Sequence, residues 1–164
     1  MRDATLCFLV RKTPSKQILL GLKKKGFGEG KFNGFGGKVR GNETIEEAAL
    51  RELREETGVN AELDGIRKVA EIDFEFPHVP KEKGWDQRVH VFLVERWEGK
   101  AKETKEMKPV WVETREIPFE RMWDDDRYWL PLVLQNKKLK AKFVFKEDNE
   151  SVRDADLKET KTFN

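Results

Sequence analysis

The chain has 164 residues, enough for one domain with a real core, and its formal net charge of +2 lacks the strong basic excess of a general nucleic-acid binder. Cys7 is the only cysteine, which excludes an internal disulfide and suits a reducing compartment. No apolar run approaches the ~20 residues of a membrane helix, and the N-terminal MRDATLCFLV carries an acid and no long apolar stretch, so neither a membrane span nor a secretory signal is predicted.

Residues 6–10 and 18–22 read as strands, separated by a turn around Pro14. Residues 26–37, GFGEGKFNGFGG, read as a loop in which every second residue is glycine on average. TIEEAALRELREETG is the clearest helix: Thr44 with Glu47 three residues on makes a capping box, and Gly58 ends it. Residues 68–76 alternate, with Val69, Ile72, Phe74 and Phe76 apolar, and read as a strand. Residues 77–87 form a polar loop with two prolines, and residues 88–97 and 109–113 are further strands. FERMWDDDRYWLPLVLQ, 119–135, reads as a second helix with Pro131 at a kinking position. Residues 142–146 are the last predicted strand, and the polar segment 147–164 is expected to fray. This mixture implies an α+β chain, an α/β/α sandwich around a mixed sheet, in one domain over 1–164.

The first helix carries the most informative pattern. Stepping about 100° per residue puts Glu52, Glu55 and Glu56 on one flank of an apolar stripe containing Ile45, Ala49 and Leu53. Arg54 and Glu47 point away. One reading is an ordinary solvated helix surface, where an i,i+4 ion pair such as Glu47–Arg51 adds only ~0.2–0.5 kcal/mol. Against it, Glu52 and Glu56 are like charges at i,i+4, which destabilise a bare helix and raise one another's pKa. A hard divalent cation relieves both problems, and the glycines just upstream allow close approach of a ligand to the backbone. Together these point to a metal-bound polyphosphate. Mg²⁺ takes one or two carboxylates and shares its remaining positions with phosphate and water.

Gly37, then Glu43, then Arg51-Glu52-Leu53-Arg54-Glu55-Glu56-Thr57-Gly58-Val59 resembles a complete Nudix box, G-x5-E-x7-R-E-U-x-E-E-x-G-U. The resemblance implies the Nudix sandwich and hydrolysis of a nucleoside diphosphate linked to another group. It implies that Glu52, Glu55 and Glu56 bind Mg²⁺ (Mn²⁺ as an alternative) and position or activate water. The Gly36 carbonyl would be another ligand, and Gly37, Glu43, Arg51 and Gly58 would brace the loop and helix.

Residues 19–39, 106–111 and 117–138 also resemble the animal MutT-homologue subfamily, whose members hydrolyse oxidised purine nucleoside triphosphates. By that resemblance Asn33, Asp125 and Asp126 read the base edge, and Phe27, Phe74, Met107, Trp123 and Trp129 wall the base pocket. Lys23 lies near the sugar and triphosphate, Phe35, Gly36, Gly37 and Lys38 line the substrate path, and Glu106 adds a metal-site carboxylate. Asn33 has both a donor and an acceptor for a base edge. Two adjacent buried aspartates titrate as a pair, and moving one proton would let them accept either an 8-oxoguanine or a 2-hydroxyadenine pattern. A second reading makes Asp124–Asp126 a helix cap and first-turn acids, and Trp123, Tyr128 and Trp129 plain core. His78 and His90 lack partners at ligand spacing and read as structural or solvated. The basic run 136–142 is too short to imply nucleic-acid binding.

The sequence departs from the subfamily at several points. Asp124 stands where mammalian members have proline, Phe8 where they have threonine, and Phe32 where they have tryptophan. The 77–88 loop is about four residues longer, placing Gln87 or a neighbour where a methionine lines the pocket. The expectation is a cytosolic monomer (with nuclear or mitochondrial pools as further locations) that converts 8-oxo-dGTP or 2-hydroxy-dATP to monophosphate and pyrophosphate. Two rivals stay open: hydrolysis of a dinucleoside polyphosphate, nucleotide sugar or capped RNA, and a nucleotide sensor without turnover.

Overall fold

Strand β1 (Arg2–Arg11) sends alternate side chains into two separate cores, and that alternation sets the layers. Ala4 and Phe8 enter one core, Cys7 and Leu9 the other. The computed structural model describes residues 1–164. Beyond β1 lie β2 (Gln17–Lys23), β3 (Phe32–Asn33), α1 (Ile45–Thr57), β4 (Ile66–Glu75), β5 (Gln87–Val94), β6 (Met107–Glu113), α2 (Asp126–Leu134), β7 (Leu139–Phe145) and β8 (Val152–Glu159). The sheet runs β3-β2-β1-β5-β4-β7-β8, with β6 on the side of β2. β1–β5 and β4–β7 are parallel and the other pairings antiparallel, so the sheet is mixed, as expected.

Helix α1 covers one face, packing Ala49 and Leu53 against Cys7, Leu9, Leu19 and Phe92. Helix α2 covers the other, with Trp129, Leu130 and Val133 against the core of Phe8, Ile72, Val91 and Phe143. This is the predicted α/β/α sandwich. The caps of α1 are those read from the sequence. Thr44 Oγ1 accepts from the Glu47 N–H, Glu47 Oε1 accepts from the Thr44 N–H, and Gly58 closes the helix at φ 79°, a left-handed conformation. The glycine segment lies along β1 through bridges Cys7–Phe35 and Ala4–Lys38.

Two expectations need correction. The second helix begins at Asp126, not at 119: residues 119–121 form a 3-10 turn, and Met122 is extended at φ −122°, ψ 172°. Met122 buries its side chain in the α2-side core, and that anchor interrupts the helical path. The helix then continues through Pro131 to Leu134.

The segment expected to fray instead contains β8, paired along the whole of β7 from Leu139–Glu159 to Phe145–Val152. Its polar composition hid a strand with only two inward apolar residues, Val152 and Leu157, packed on the core. The hairpin turn is clamped by the Asp148 carboxylate, which accepts from the N–H groups of Glu150 and Ser151, and by Asp124 Oδ2, which accepts from the Val152 N–H at 2.9 Å. Deleting residues 147–164 will therefore lower the melting temperature by at least ~5 °C, since a chain this size shifts roughly 2–4 °C per kcal/mol. An unchanged melting curve for the truncated chain would mean that the pairing adds nothing.

Candidate active site

Arg51, on the exposed flank of α1, organises the acidic helix. Its guanidinium donates to Glu43 through Nε (2.5 Å) and Nη2 (2.9 Å), to Glu52 through Nη1 (2.9 Å), to Glu55 (3.3 Å) and to the Lys38 carbonyl (3.1 Å). One planar fork thus ties the glycine segment, the connecting loop and two helix carboxylates together. The hydrogen bonds from Arg51 and from the Arg40 N–H hold the Glu43 carboxyl down at about 2.

Glu56 is not bonded to Arg51. Its Oε1 accepts from the Gly36 N–H at 2.7 Å. Burial, followed by the nearby charges of Glu52 and Glu55, pushes its carboxyl up to about 7 against the pull of the Gly36 N–H and Lys23. The two glycines are there for space. A Cβ on Gly36 would sit 1.8 Å from the Thr5 carbonyl oxygen, and one on Gly37 would sit 2.5 Å from Glu52 Oε1. Phe35 and Gly37 give their backbone groups to β1, while Gly36 between them turns its N–H to the helix. Cys7 lies beneath α1, its thiol pushed up to about 12 by burial and then by Glu56, so it is no nucleophile.

A cavity of about 660 Å³ opens beside these groups, within the ~300–1,000 Å³ of small-ligand pockets. Its polar floor includes Glu56, Gly36 and Gly37, with Lys23 and Lys38 beside them. Its far end holds Asn33, Asp125 and Asp126 among Phe27, Phe74, Met107 and Trp123. The residues expected at opposite ends of a nucleotide are therefore brought to one cavity from five separate segments. Phe27 and Trp123 stack with ring centroids 5.4 Å apart, and Phe27 is 78% exposed at the mouth.

Asp125 and Asp126 are both buried. Burial raises Asp125 to about 6 against the Trp129 hydrogen bond that lowers it, with the Asp124 charge adding to the rise. Asp126 is raised well above the usual carboxylate range by burial and then by Asp125. Asp125 occupies the N-cap position of α2 but makes no capping bond; it accepts from Trp129 Nε1 at 2.9 Å instead.

Several sequence-predicted residues lie elsewhere. Trp129 is fully buried, tilted against Phe8 at 6.1 Å, and supports Asp125 from behind rather than walling the cavity. Phe35 is fully buried in the α1-side core. Glu52 and Glu55 are turned to Arg51 instead of lining the cavity, and Glu106 is exposed ahead of β6. No three acids converge into a metal cage. The donor set nevertheless fits a hard cation: half-buried Glu56 lacks a cationic hydrogen-bond partner, and the Gly36 carbonyl is used by none of the backbone bonds of its loop. Phe8 and Phe32 are core residues outside the cavity.

Sequence reading missed Arg2, Trp85, Phe145 and Asn149, all of which line the cavity, while Gln87 does so as expected. Trp85 is a lone tryptophan in a polar loop, and it meets Phe76 edge-on at 5.5 Å. Phe145 alternates with Phe143 in the last predicted strand, so its direction was readable; Asn149 had no local signal beyond a turn-forming residue.

The family described as NUDIX domain matches residues 1–133. The "Oxidized purine nucleoside triphosphate hydrolase" of Mus musculus is 42% identical over 163 residues, covering 99% of this chain and 100% of that one. The protein of the same description from Danio rerio is 45% identical over 145 residues, covering 88% and 89%. The crystal structure of a MutT protein from Bacillus halodurans superposes with a TM-score of 0.78 at 24% identity, covering 96% of this chain and 97% of that one, a likeness of fold. Nudix hydrolases as a family use a divalent metal. With the family's domain matched over residues 1–133 and relatives this similar along almost their whole lengths, the chain belongs to the Nudix family of hydrolases.

Proposed function

We propose that this chain hydrolyses oxidised purine nucleoside triphosphates, such as 8-oxo-dGTP and 2-hydroxy-dATP, to the monophosphate and pyrophosphate, with Mg²⁺ or in its place Mn²⁺. The observation that carries the reading is the pair of buried aspartates beside Asn33 at the aromatic end of the cavity. An aromatic base site with two buried titratable acids suits a modified purine better than the basic groove a capped RNA or dinucleoside polyphosphate needs. The retained Glu52, Glu55 and Glu56 argue against a sensor without turnover. The protein would work as a monomer on the cytosolic nucleotide pool, its one cysteine suiting a reducing compartment, with nuclear and mitochondrial pools as further sites.

In this mechanism Asn33, Asp125 and Asp126 hold the base, Lys23 and Lys38 attract the triphosphate, and the stacked Phe27 and Trp123 offer aromatic surface to the base. Glu52, Glu55, Glu56, the Gly36 carbonyl and Glu106 would hold the cation. Once bound, the cation polarises phosphoryl oxygens and eases deprotonation of water. Glu56, which faces the cavity and is held by the Gly36 N–H, would be placed to take a proton from the attacking water. Arg51 fixes the backbone and carboxylates around that event.

Pyrophosphate release measured with Mg²⁺ should favour 8-oxo-dGTP or 2-hydroxy-dATP over dGTP and dATP, and Glu56→Gln should lower kcat at least ~10²-fold. Activity on none of the four would reject this substrate class while leaving the family intact.

Proton position on the aspartate pair should also set base preference. The ratio of 8-oxo-dGTP to 2-hydroxy-dATP turnover will change with pH in the wild type and become flat in Asp125→Asn. A flat ratio in both proteins would count against the proton switch.

The same pair gives a stability signature. Folded-state pKa values raised above the unfolded ones mean that these acids' contribution is fully present below about pH 4 and is lost as pH rises through the folded values. Asp126→Asn cannot ionise, so its melting temperature should exceed that of the wild type at pH 8, by roughly 2–4 °C per kcal/mol recovered, with the gap closing toward pH 4. A gap of equal size at both pH values would remove the titration from the explanation.

A further inference from the structure

Only two buried side-chain polar atoms in the molecule have no hydrogen-bond partner: Asp126 Oδ2 and Asn149 Oδ1. Both residues line the same cavity. A buried polar atom left unpaired is costly, and native structures rarely tolerate it without a ligand or functional reason. Asp126 has such a reason in the base site. Asn149 comes from a different segment, the β7–β8 turn, which neither the box nor the base-reading run includes.

Asn149 is held firmly in place. Its N–H donates to the Lys146 carbonyl at 2.9 Å, and the Lys146 N–H donates to the Ser151 carbonyl at 2.8 Å. Asp148 fastens the next two residues by its carboxylate, and Asp124, immediately before the aspartate pair, fastens Val152. The backbone at Asn149 is left-handed, φ 58°, a conformation asparagine tolerates better than most residues. Phe76, Trp85 and Phe145 supply apolar wall in the same cavity. The carboxamide is thus an unpaired polar group on an anchored turn, in an aromatic surround, the composition of a specificity contact.

We propose that Asn149 is a further specificity-determining residue, whose side-chain oxygen accepts a hydrogen bond from an N–H on the edge of the bound purine. The proposal rests on the purine-site reading above. Asp124 is the positioning residue that ties this turn to the aspartate pair, so both sets of base contacts share one anchor.

Calorimetric titration of the full chain with 8-oxo-dGMP, the product nucleotide, tests this without turnover. Asn149→Gly keeps the left-handed backbone and removes the carboxamide. It should weaken 8-oxo-dGMP about tenfold, the loss expected for one buried hydrogen bond, while leaving pyrophosphate affinity unchanged. Asn149→Asp keeps an acceptor oxygen on the same backbone and should recover most of that loss, which a purely structural role for the turn would not produce. Binding by Asn149→Gly within twofold of wild type, or an Asp variant as weak as the Gly variant, overturns the proposal. Failure of the wild type to bind 8-oxo-dGMP at all overturns the purine-site reading first and this proposal with it; normal wild-type binding with an indifferent Gly variant overturns this proposal alone.

Discussion

The site depends on one half-buried guanidinium. The Arg51 side chain is only 14% exposed and bonds to two carboxylates of its own helix, one of the preceding loop and one carbonyl of the glycine segment. Without that fork, Glu52, Glu55 and Glu56 would be like charges on adjacent turns with nothing to set their spacing. With it, Glu52 and Glu55 are paired and Glu56 is not. The odd acid is left half-buried against Gly36, and desolvation is the first cause of its elevated pKa. Lysine could not replace this arrangement, because a point charge cannot reach four acceptors in one plane.

The second constraint is geometric. Gly36 and Gly37 run between β1 and α1 with no room for a side chain on either. That clearance brings Glu56 alongside a cavity whose other walls include Asn33, Phe74, Met107, Trp123, Asp125 and Asp126. One end of the cavity is therefore acidic and backbone-lined, and the other aromatic with two raised aspartates. The acidic, backbone-lined groups and the aromatic, aspartate-bearing groups come from separate segments of the chain.

That separation also explains what could be read from the sequence. The acids, their glycines and the caps of α1 lie within a few turns of one another, so spacing alone encoded them. The base end is assembled from β3, β4, the loop before β5, the start of α2 and the β7–β8 turn, and only similarity to a family brought most of those residues forward. At Trp129 the resemblance pointed to the cavity wall, and the plain-core reading was the right one. Trp129 follows Asp125 by four residues on a helix, a spacing that puts its indole N–H on the carboxylate and its ring in the core. β8 was invisible because an edge strand with one covered face needs only two apolar residues, here Val152 and Leu157. Trp85 and Asn149 were invisible because a loop residue's direction is decided by the turn it sits in, not by its neighbours in sequence.

Asp124 shows how a departure from a family pattern can be absorbed. A charge in place of an imino acid beside the base-reading pair reads as a disturbance. In the fold its carboxylate is spoken for: Oδ2 accepts the Val152 N–H and Oδ1 lies 3.3 Å from Arg127 Nε. The charge still acts on Asp125, adding to the rise that burial begins. So one substitution does two things. It fastens the β7–β8 turn to the start of α2, and it favours the protonated form of the neighbouring acid. A protonated aspartate can donate where an ionised one can only accept. The anchor of the turn and the protonation of Asp125 are consequently touched by the same carboxylate, so a change at position 124 acts on both at once.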